Sequence, residues 1–468
     1  MRPSLHQATA PSALTSLVSV ALLSGCFVGK AATEYDRVVR EVERSSSPRP
    51  RVHNHQEVDE QELARQANLP TILRLALARN PDIAETRERV RAALLRVKSA
   101  SRLPDLEFKY EQWLVPLARP YALDQANMLM FGLQQQFPAP GTLGARSAAA
   151  AAEAGMSLEA ARARSLDIVA EVRRSYYDLY RIEEEYRIHL EHVRLADEIV
   201  ELARANYRVG KGTQQDVLRT MVELSKLRND VVAIEQERLS MRAMLNTLMA
   251  RAVDAPLGAP TEFKPTDVQP RLAELERDLA RQRPELASAV RAVDKDTALA
   301  LGARRMLYWP SLMIGLNYMY APKAPADMTQ NGYGAMVSFN LPWINPKRWE
   351  DVSEAEHTLA ADRHTVESQR NLALYQLRDA LAKLEAARQS LSIIDRELLP
   401  QSMQSFESSR SAFSSGQGDA IGLVDAFRSY LAVRIDRARA LARVQSSLAD
   451  LDRAAGLELA SPSPRDAQ

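Results

Sequence analysis

The sequence predicts a mainly α-helical chain built from long helical hairpins, with a few β-strands patterned for a membrane. Three observations carry that expectation. Ala, Leu, Arg and Glu abound while aromatics make up only 6% of the chain, which favours helices and coiled coils over a compact β-rich enzyme. From Leu143 to Val209 no proline occurs, and apolar residues recur there at threes and fours. The third observation is that the chain is written twice. Pro81, Pro104, Pro138 and Gly210 recur as Pro284, Pro310, Pro342 and Gly416, at offsets of 203, 206, 204 and 206 residues. Four anchors in one order at a near-constant offset indicate a tandem duplication.

The bulk numbers narrow the field. With 61 basic and 60 acidic residues, the chain has no overall cationic signature for nucleic acid. Most charges alternate in sign along helical segments and read as solvated helix faces. The single cysteine, Cys26, excludes an intrachain disulfide and a cysteine-based metal cluster.

Residues 1–25 read as a signal peptide. The run "ALTSLVSVALLSG" is apolar, ends in small residues and is too short to span a bilayer. The following "LSGC" (Leu23 to Cys26) resembles a bacterial lipobox, whose cysteine becomes the lipidated first residue of the mature protein. The alternative is an ordinary exported start with an incidental cysteine. Residues 26–68 are polar and proline-broken and read as a lipid-anchored tether. No other segment is suited to cross a bilayer as a helix, so further membrane contact requires strands.

Residues 69–258 and 259–457 form the two repeats, and 458–468 a flexible tail. Each repeat reads as a helix ending before a proline, two strands, a very long helix, a Gly-x-Gly turn and a returning helix. The strands alternate. In the second repeat Leu312, Ile314, Leu316, Tyr318 and Tyr320 share one face, with Met313, Gly315, Asn317 and Met319 opposite. The partner strand sets Tyr333, Ala335, Val337 and Phe339 against Gly334, Met336 and Ser338. The first repeat alternates likewise around Phe108 and Tyr110 and around Leu129, Phe131 and Leu133. One such strand could equally belong to a half-buried soluble sheet; the helices separate the two readings. At 1.5 Å per residue the helix after the first strand pair runs roughly 100 Å, as a rod or tunnel wall requires and few compact enzymes do. Pro400 interrupts the equivalent second helix, so a kink is expected there.

The turns read "YRVGKG" and "FSSGQG". Glycine permits the positive φ that reverses a helix within a few residues, and Tyr207 and Phe413 are expected to close the apolar seam of each hairpin. A phosphate-binding loop is excluded, because no strand precedes either copy and no Gly-Lys-Ser/Thr follows. His53 and His55 fall in the tether. His189 and His192, with Glu185 and Glu191, stand at helical spacing and read as surface rather than as metal ligands. No nucleophile–base constellation or dinucleotide fingerprint occurs. The chain therefore reads as a non-enzyme without cofactor or metal.

From Leu69 to Leu457 the sequence resembles the TolC-type outer-membrane efflux duct family. "LPTILRLALARNPDI", "ANYRVGKGTQQDVLRTMVEL" and "SAFSSGQGDAIGLVDAFRSY" are similar to its repeat signatures. The lipidated start and "FPAPGTLGAR" look like branches serving three-component exporters, including heavy-metal ones. The resemblance implies a homotrimer in the outer membrane of a Gram-negative bacterium, with four strands per chain in a twelve-stranded barrel and a helical tunnel in the periplasm. Four strands cannot close a barrel, and open edges in lipid leave backbone groups unpaired; twelve close one and leave a lumen. The resemblance further implies a passive duct, docked to a periplasmic adaptor and an inner-membrane pump. It marks Val209, Gly210, Gly212, Thr213, Gly416 and Gly418 as docking tips. It also marks Asp216 and Asp425, on the helices just after the turns, as acids of the periplasmic aperture. Gly422 stands in the second repeat where Asp216 stands in the first. The rival reading is a lipid-anchored periplasmic coiled-coil adaptor or structural protein. An adaptor normally has one hairpin between β modules, and this chain has two hairpins with strand pairs. The cargo stays open among metal ions, organic toxins and secreted proteins.

Overall fold

The computed structural model describes residues 60–113, 126–261, 271–322 and 331–457, with the isolated positions Asp36, Val39, Arg40 and Leu123. Cys26, His53, His55 and the C-terminal tail lie outside the described residues. In chain order the elements are β1 (Gln66–Ala67), α1 (Leu69–Arg79), α2 (Pro81–Ala100), β2 (Glu107–Trp113), β3 (Met128–Phe137), α3 (Thr142–Arg208), α4 (Gln214–Leu248) and β4 (Ala259–Pro260). The second set is α5 (Leu272–Gln282), α6 (Pro284–Tyr308), β5 (Leu312–Tyr320), β6 (Asn331–Phe339), α7 (Lys347–Ile393), α8 (Leu399–Ser415) and α9 (Ala420–Ala455). The order of helix, strand pair, long helix, turn and returning helix thus occurs twice.

The chain divides into two compact units. One comprises residues 87–159 and 288–368 and holds the four-stranded sheet. Its order is β2-β3-β5-β6, antiparallel throughout, with Phe131 opposite both Tyr110 and Tyr318 and the latter opposite Tyr333. The hairpin of each repeat therefore joins the other through β3 and β5. Helices approach closely beside the sheet because their facing residues are small. Ala145, Ala149, Ala152, Ala300 and Ala303 are all buried, and a β-carbon at Gly302 would lie 3.3 Å from that of Ala145.

The other unit comprises, among the described residues, 60–86, 160–261, 271–287 and 369–457. The duplication is visible in its packing. In the first repeat α1 buries Ile72, Leu75 and Ala76 against Val172, Leu179 and Leu245 of α3 and α4. In the second α5 buries Leu275 and Leu279 against Leu377, Leu384 and Leu448 of α7 and α9. Each repeat also ties the residue before its second helix to the end of its returning helix. Asn80 Nδ2 donates to the Leu248 carbonyl at 3.0 Å, and Arg283 Nη1 to that of Ala454 at 3.4 Å. These are the carbonyl ends that a helix leaves unsatisfied, and a cation there also complements the helix dipole.

Two features depart from the sequence reading. Residues 60–67, assigned above to the tether, are packed: Leu63 and Ala67 are buried, and β1 pairs in parallel with β4. Tyr176 Oη accepts from the Thr261 amide at 3.1 Å and adds a clasp to that pairing. A two-residue strand whose partner lies almost two hundred residues on has no periodicity to betray it. At Pro400 the expected interruption takes a specific form. A π-helical turn over Ile394–Leu398 precedes α8, with the Leu399 amide reaching the Ile394 carbonyl. Proline lacks a donor and crowds the carbonyl four residues back, and a widened turn relieves both. Among the described residues no helix is long and apolar enough to cross a membrane.

Candidate functional site: the hairpin tips and the inverted sheet

Both turns use the same closure. Gly210 and Gly416 have φ of 74° and 78°, in the left-handed region where a β-carbon is disfavoured. The next amide reaches five residues back, from Lys211 to the Asn206 carbonyl at 2.8 Å and from Gln417 to that of Ala412 at 2.9 Å, as in a Schellman end. The two tips touch. Asn206 Nδ2 donates to the Phe413 carbonyl at 3.0 Å, and the Lys211 stem lies over Gly416, where an added β-carbon would sit 3.1 Å from Cδ. Neither Asn206 nor Lys211 was singled out by the sequence reading. The signal was available, since the second repeat has Ala412 and Gln417 at their positions.

The aromatics of the two turns part company. Phe413 is 3% exposed and packs in the core formed by Leu224, Leu227, Phe406, Leu423 and Phe427. Tyr207 is 50% exposed, so the expectation that it closes the seam is corrected. It lines a groove of 380 Å³ with Glu201, Arg204, Arg208, Gln214 and Val217. Val209 beside it is 68% exposed. The groove and this apolar residue lie open at the tip.

The acidic residues also separate. Thr213 caps α4: its hydroxyl accepts from the Asp216 amide at 3.2 Å, and the Asp216 carboxylate accepts from the Thr213 amide at 2.8 Å. This is a reciprocal capping box, so Asp216 is occupied locally. Asp419 caps α9, its carboxylate accepting from the Gly422 amide at 2.9 Å. Asp425 is exposed, with only a loose contact to Arg428 at 3.9 Å. Arg428 instead grips Glu223 of α4, Nε to Oε1 at 2.9 Å; that carboxylate raises the Arg428 pKa and keeps it charged. A further series of pairs ties α9 to α3, including Arg439–Glu185 at 2.9 Å and Arg434–Glu191 at 2.6 Å.

His189 and His192 are buried, not on the surface. His192 Nδ1 lies 2.8 Å from the Ile188 carbonyl, and its ring packs against Phe427 and Tyr430. Burial lowers its pKa to about 4, so the ring is neutral near pH 7. Among the described residues no group of three His, Cys, Asp or Glu side chains could hold a metal.

The sheet inverts the pattern of a water-soluble protein. Its apolar face is the exposed one: Tyr333 is 87% exposed, and Phe108, Leu316 and Val337 are each more than 60% exposed. The opposite face carries Glu107, Lys109, Gln134, Asn317 and Ser338. Along β6 the apolar-face side chains from Asn331 to Val337 are exposed while the intervening ones are half-buried, as on the concave side of a curved sheet. At the helix-proximal end, Tyr308, Trp309, Trp343 and Trp349 are all largely exposed, with Tyr308 edge-on to Trp349. An apolar outer band with aromatics at its border is the arrangement of a bilayer-facing strand wall. Among the described residues β2 and β6 each leave one edge of the sheet unpaired.

An apolar outward sheet on long helical hairpins defines an outer-membrane channel wall. The sequence profile described as outer membrane efflux protein matches residues 72–251 and 275–457, and the chain belongs to that family. It is an outer-membrane efflux channel. Solved structures share the fold. The outer-membrane channel OprN is 17% identical, over 85% of this chain and 92% of that one, at a TM-score of 0.71. The CmeC outer membrane channel of Campylobacter jejuni is 14% identical, over 85% and 88%, at 0.70. The open state of the MtrE outer membrane channel of Neisseria gonorrhoeae is 19% identical, over 84% and 89%, at 0.68. No curated protein sequence matches the chain.

Proposed function

We propose that three copies of this chain close one twelve-stranded barrel and form a passive exit duct of a tripartite exporter. The observation that carries this reading is the four-stranded sheet, apolar on its exposed face and open at both edges. In lipid an open edge costs several kcal/mol per unpaired backbone group. Eight strands fill their interior with side chains, whereas twelve leave a lumen. The aromatics at the base of β5 and β6 would then sit in the inner-leaflet headgroup zone, and the helical hairpins would extend into the periplasm. Cys26 carries the lipid anchor in this reading.

The tips serve as the docking surface for a periplasmic adaptor, itself coupled to an inner-membrane pump. Val209, Gly210, Gly212, Thr213, Gly416 and Gly418 form this surface together with Tyr207 and the groove beside it. Asp425 is the aperture acid the geometry favours, being exposed and loosely paired; Asp216 serves first as a helix cap. Three Asp425 carboxylates around one axis would attract cations and repel each other. The duct uses no cofactor and makes or breaks no bond. The test is the native mass of the detergent-extracted protein from outer-membrane fractions. Three protomers are expected; a water-soluble monomer would overturn the reading in favour of a periplasmic coiled-coil protein.

A further inference from the structure

Asp296 of α6 is 3% exposed, and among the described residues its Oδ2 has no hydrogen-bond partner. The other oxygen, Oδ1, lies 3.2 Å from Nζ of the neighbouring Lys295. A buried carboxylate oxygen without a donor is costly. The group that meets it is another carboxyl, Asp362 of α7. Two carboxylates present only acceptors to each other, whereas a carboxylic acid can donate to a carboxylate. Burial, and then the contact with Asp296, raise the Asp362 pKa above the ordinary aspartate range, while Lys295 opposes them.

The surroundings explain the missing donor. α3 descends from the sheet as α6 rises to it, and Gly302 faces Ala145, which brings Ala151 level with Asp296. From Ala148 to Ala152 the chain is alanine throughout, which lets the helices approach and offers no side-chain hydrogen. The acid that follows, Glu153, pairs with Arg96 of α2 at 2.9 Å. On α6, Arg291 lies 3.5 Å from Asp294. On α7, Arg363 is exposed, and His364 is turned out to solvent 3.6 Å from Glu367. Among the described residues Lys295 is the one cation within ion-pair distance of Asp296, and it offsets one of the two negative charges.

We propose that Asp296 and Asp362 share one proton and so form a clasp between α6 and α7 that alkali releases. With the proton in place, it and Lys295 together offset both carboxylates, and Oδ2 of Asp296 gains its hydrogen bond. Loss of the proton to water leaves two like charges face to face, one of them buried. α6 leads into β5 and α7 follows β6, so the clasp holds the two helices together beneath one strand hairpin. It stands twelve residues before Tyr308, roughly 18 Å along the helix from the sheet. The folded pair keeps its proton to higher pH than an unfolded aspartate does. Its contribution to stability is therefore complete below the ordinary aspartate range and is lost as pH rises through the raised value.

The test compares amide exchange around Asp296 in the full wild-type chain and in Asp362→Asn, both in detergent, at pH 4 and pH 8. Asp362 is only partly buried, and an asparagine amide can donate to Oδ2 at either pH. At pH 8 exchange is expected to be roughly threefold or more slower in the variant than in the wild type, and at pH 4 the two should match. The infrared band of a protonated carboxyl should titrate away at higher pH in the wild type than in the variant. Faster exchange in the variant at pH 8 would make Asp362 an ordinary partner of Lys295 and overturn the shared proton. Equal exchange at both pH values would overturn it too. Calcium that slows exchange at pH 8 in the wild type, and not in the variant, would put a cation in the proton's place. If the variant does not fold, the wild-type band decides alone: its loss within the ordinary aspartate range rejects the clasp.

Discussion

The two hairpin tips share a phrase, a glycine conformation and a hydrogen-bond closure, yet they pack differently. The second tip is anchored inward: Phe413 is buried, and Gly418 is so close to the preceding turn that a β-carbon would lie 3.1 Å from the Phe413 nitrogen. The first tip is turned outward. Its aromatic is half exposed, and a β-carbon on Gly210 would meet nothing within 4 Å. Its polar side chains, Asn206 and Lys211, reach across to brace the second. Duplication supplied two equal turns, and sequence change then left the aromatic of one buried and that of the other exposed.

The largest effect should come from the aromatics. Phe413→Ala empties a buried aromatic site and is expected to cost about 3–5 kcal/mol of stability, measured by denaturant unfolding of the isolated protein. Tyr207→Ala should cost under about 1 kcal/mol while reducing adaptor binding and export. Equal stability losses in the two variants would erase the proposed division.

The same core continues along α9 to His192, and pH probes it. The folded pKa is about 4 against an ordinary 6.5, set first by burial, with Arg434 adding to the depression and Glu191 opposing it. As pH falls through 6.5 the unfolded chain takes up a proton that the folded chain refuses. Stability therefore declines from about pH 6.5 to about pH 4, by about 3 kcal/mol in all, and then levels off. Thermal unfolding at pH 7.5 and pH 5 should show this contribution in the wild type and lose it in His192→Phe.

The caps give the smallest effect and the finest comparison. Thr213→Ala and Asp419→Ala are each expected to cost about 1 kcal/mol. Asp216→Asn, which weakens only one arm of the box, should cost less, and amide exchange at the first turns of α4 and α9 would register it. A larger loss of export than of stability in Asp425→Asn, with trimer mass retained, would assign the aperture role to that residue.

Much of this was legible in the chain because it is periodic. Helical spacing located α3 and α7, two-residue alternation put Leu312–Tyr320 and the residues from Tyr333 to Phe339 on their observed faces, and the offset of about 204 residues paired the repeats. What escaped was set by contacts between distant segments. Tyr207 and Phe413 are equivalent in sequence, and only the packing of α4, α8 and α9 decides which is covered. His189 and His192 lie among charges along one helix, yet both are buried, His192 against Phe427 and Tyr430 of α9. β1 is two residues long and is defined wholly by β4. The π-turn was foreshadowed by Pro400 only as a break, since proline says that a bond is lost and not how the helix absorbs it.

The two unpaired edges of the sheet bear on genetics as well as on architecture. In the proposed trimer, a duct closed from three open sheets would need every copy to present two sound edges, because each edge would be completed by a neighbour. A chain with a damaged β2 or β6 edge but intact hairpins would still be drawn into assemblies. With half of the chains defective, only about one trimer in eight would be wholly sound if copies mix at random. Such alleles should therefore be dominant, whereas alleles that prevent folding altogether, and so never reach the assembly, should be recessive.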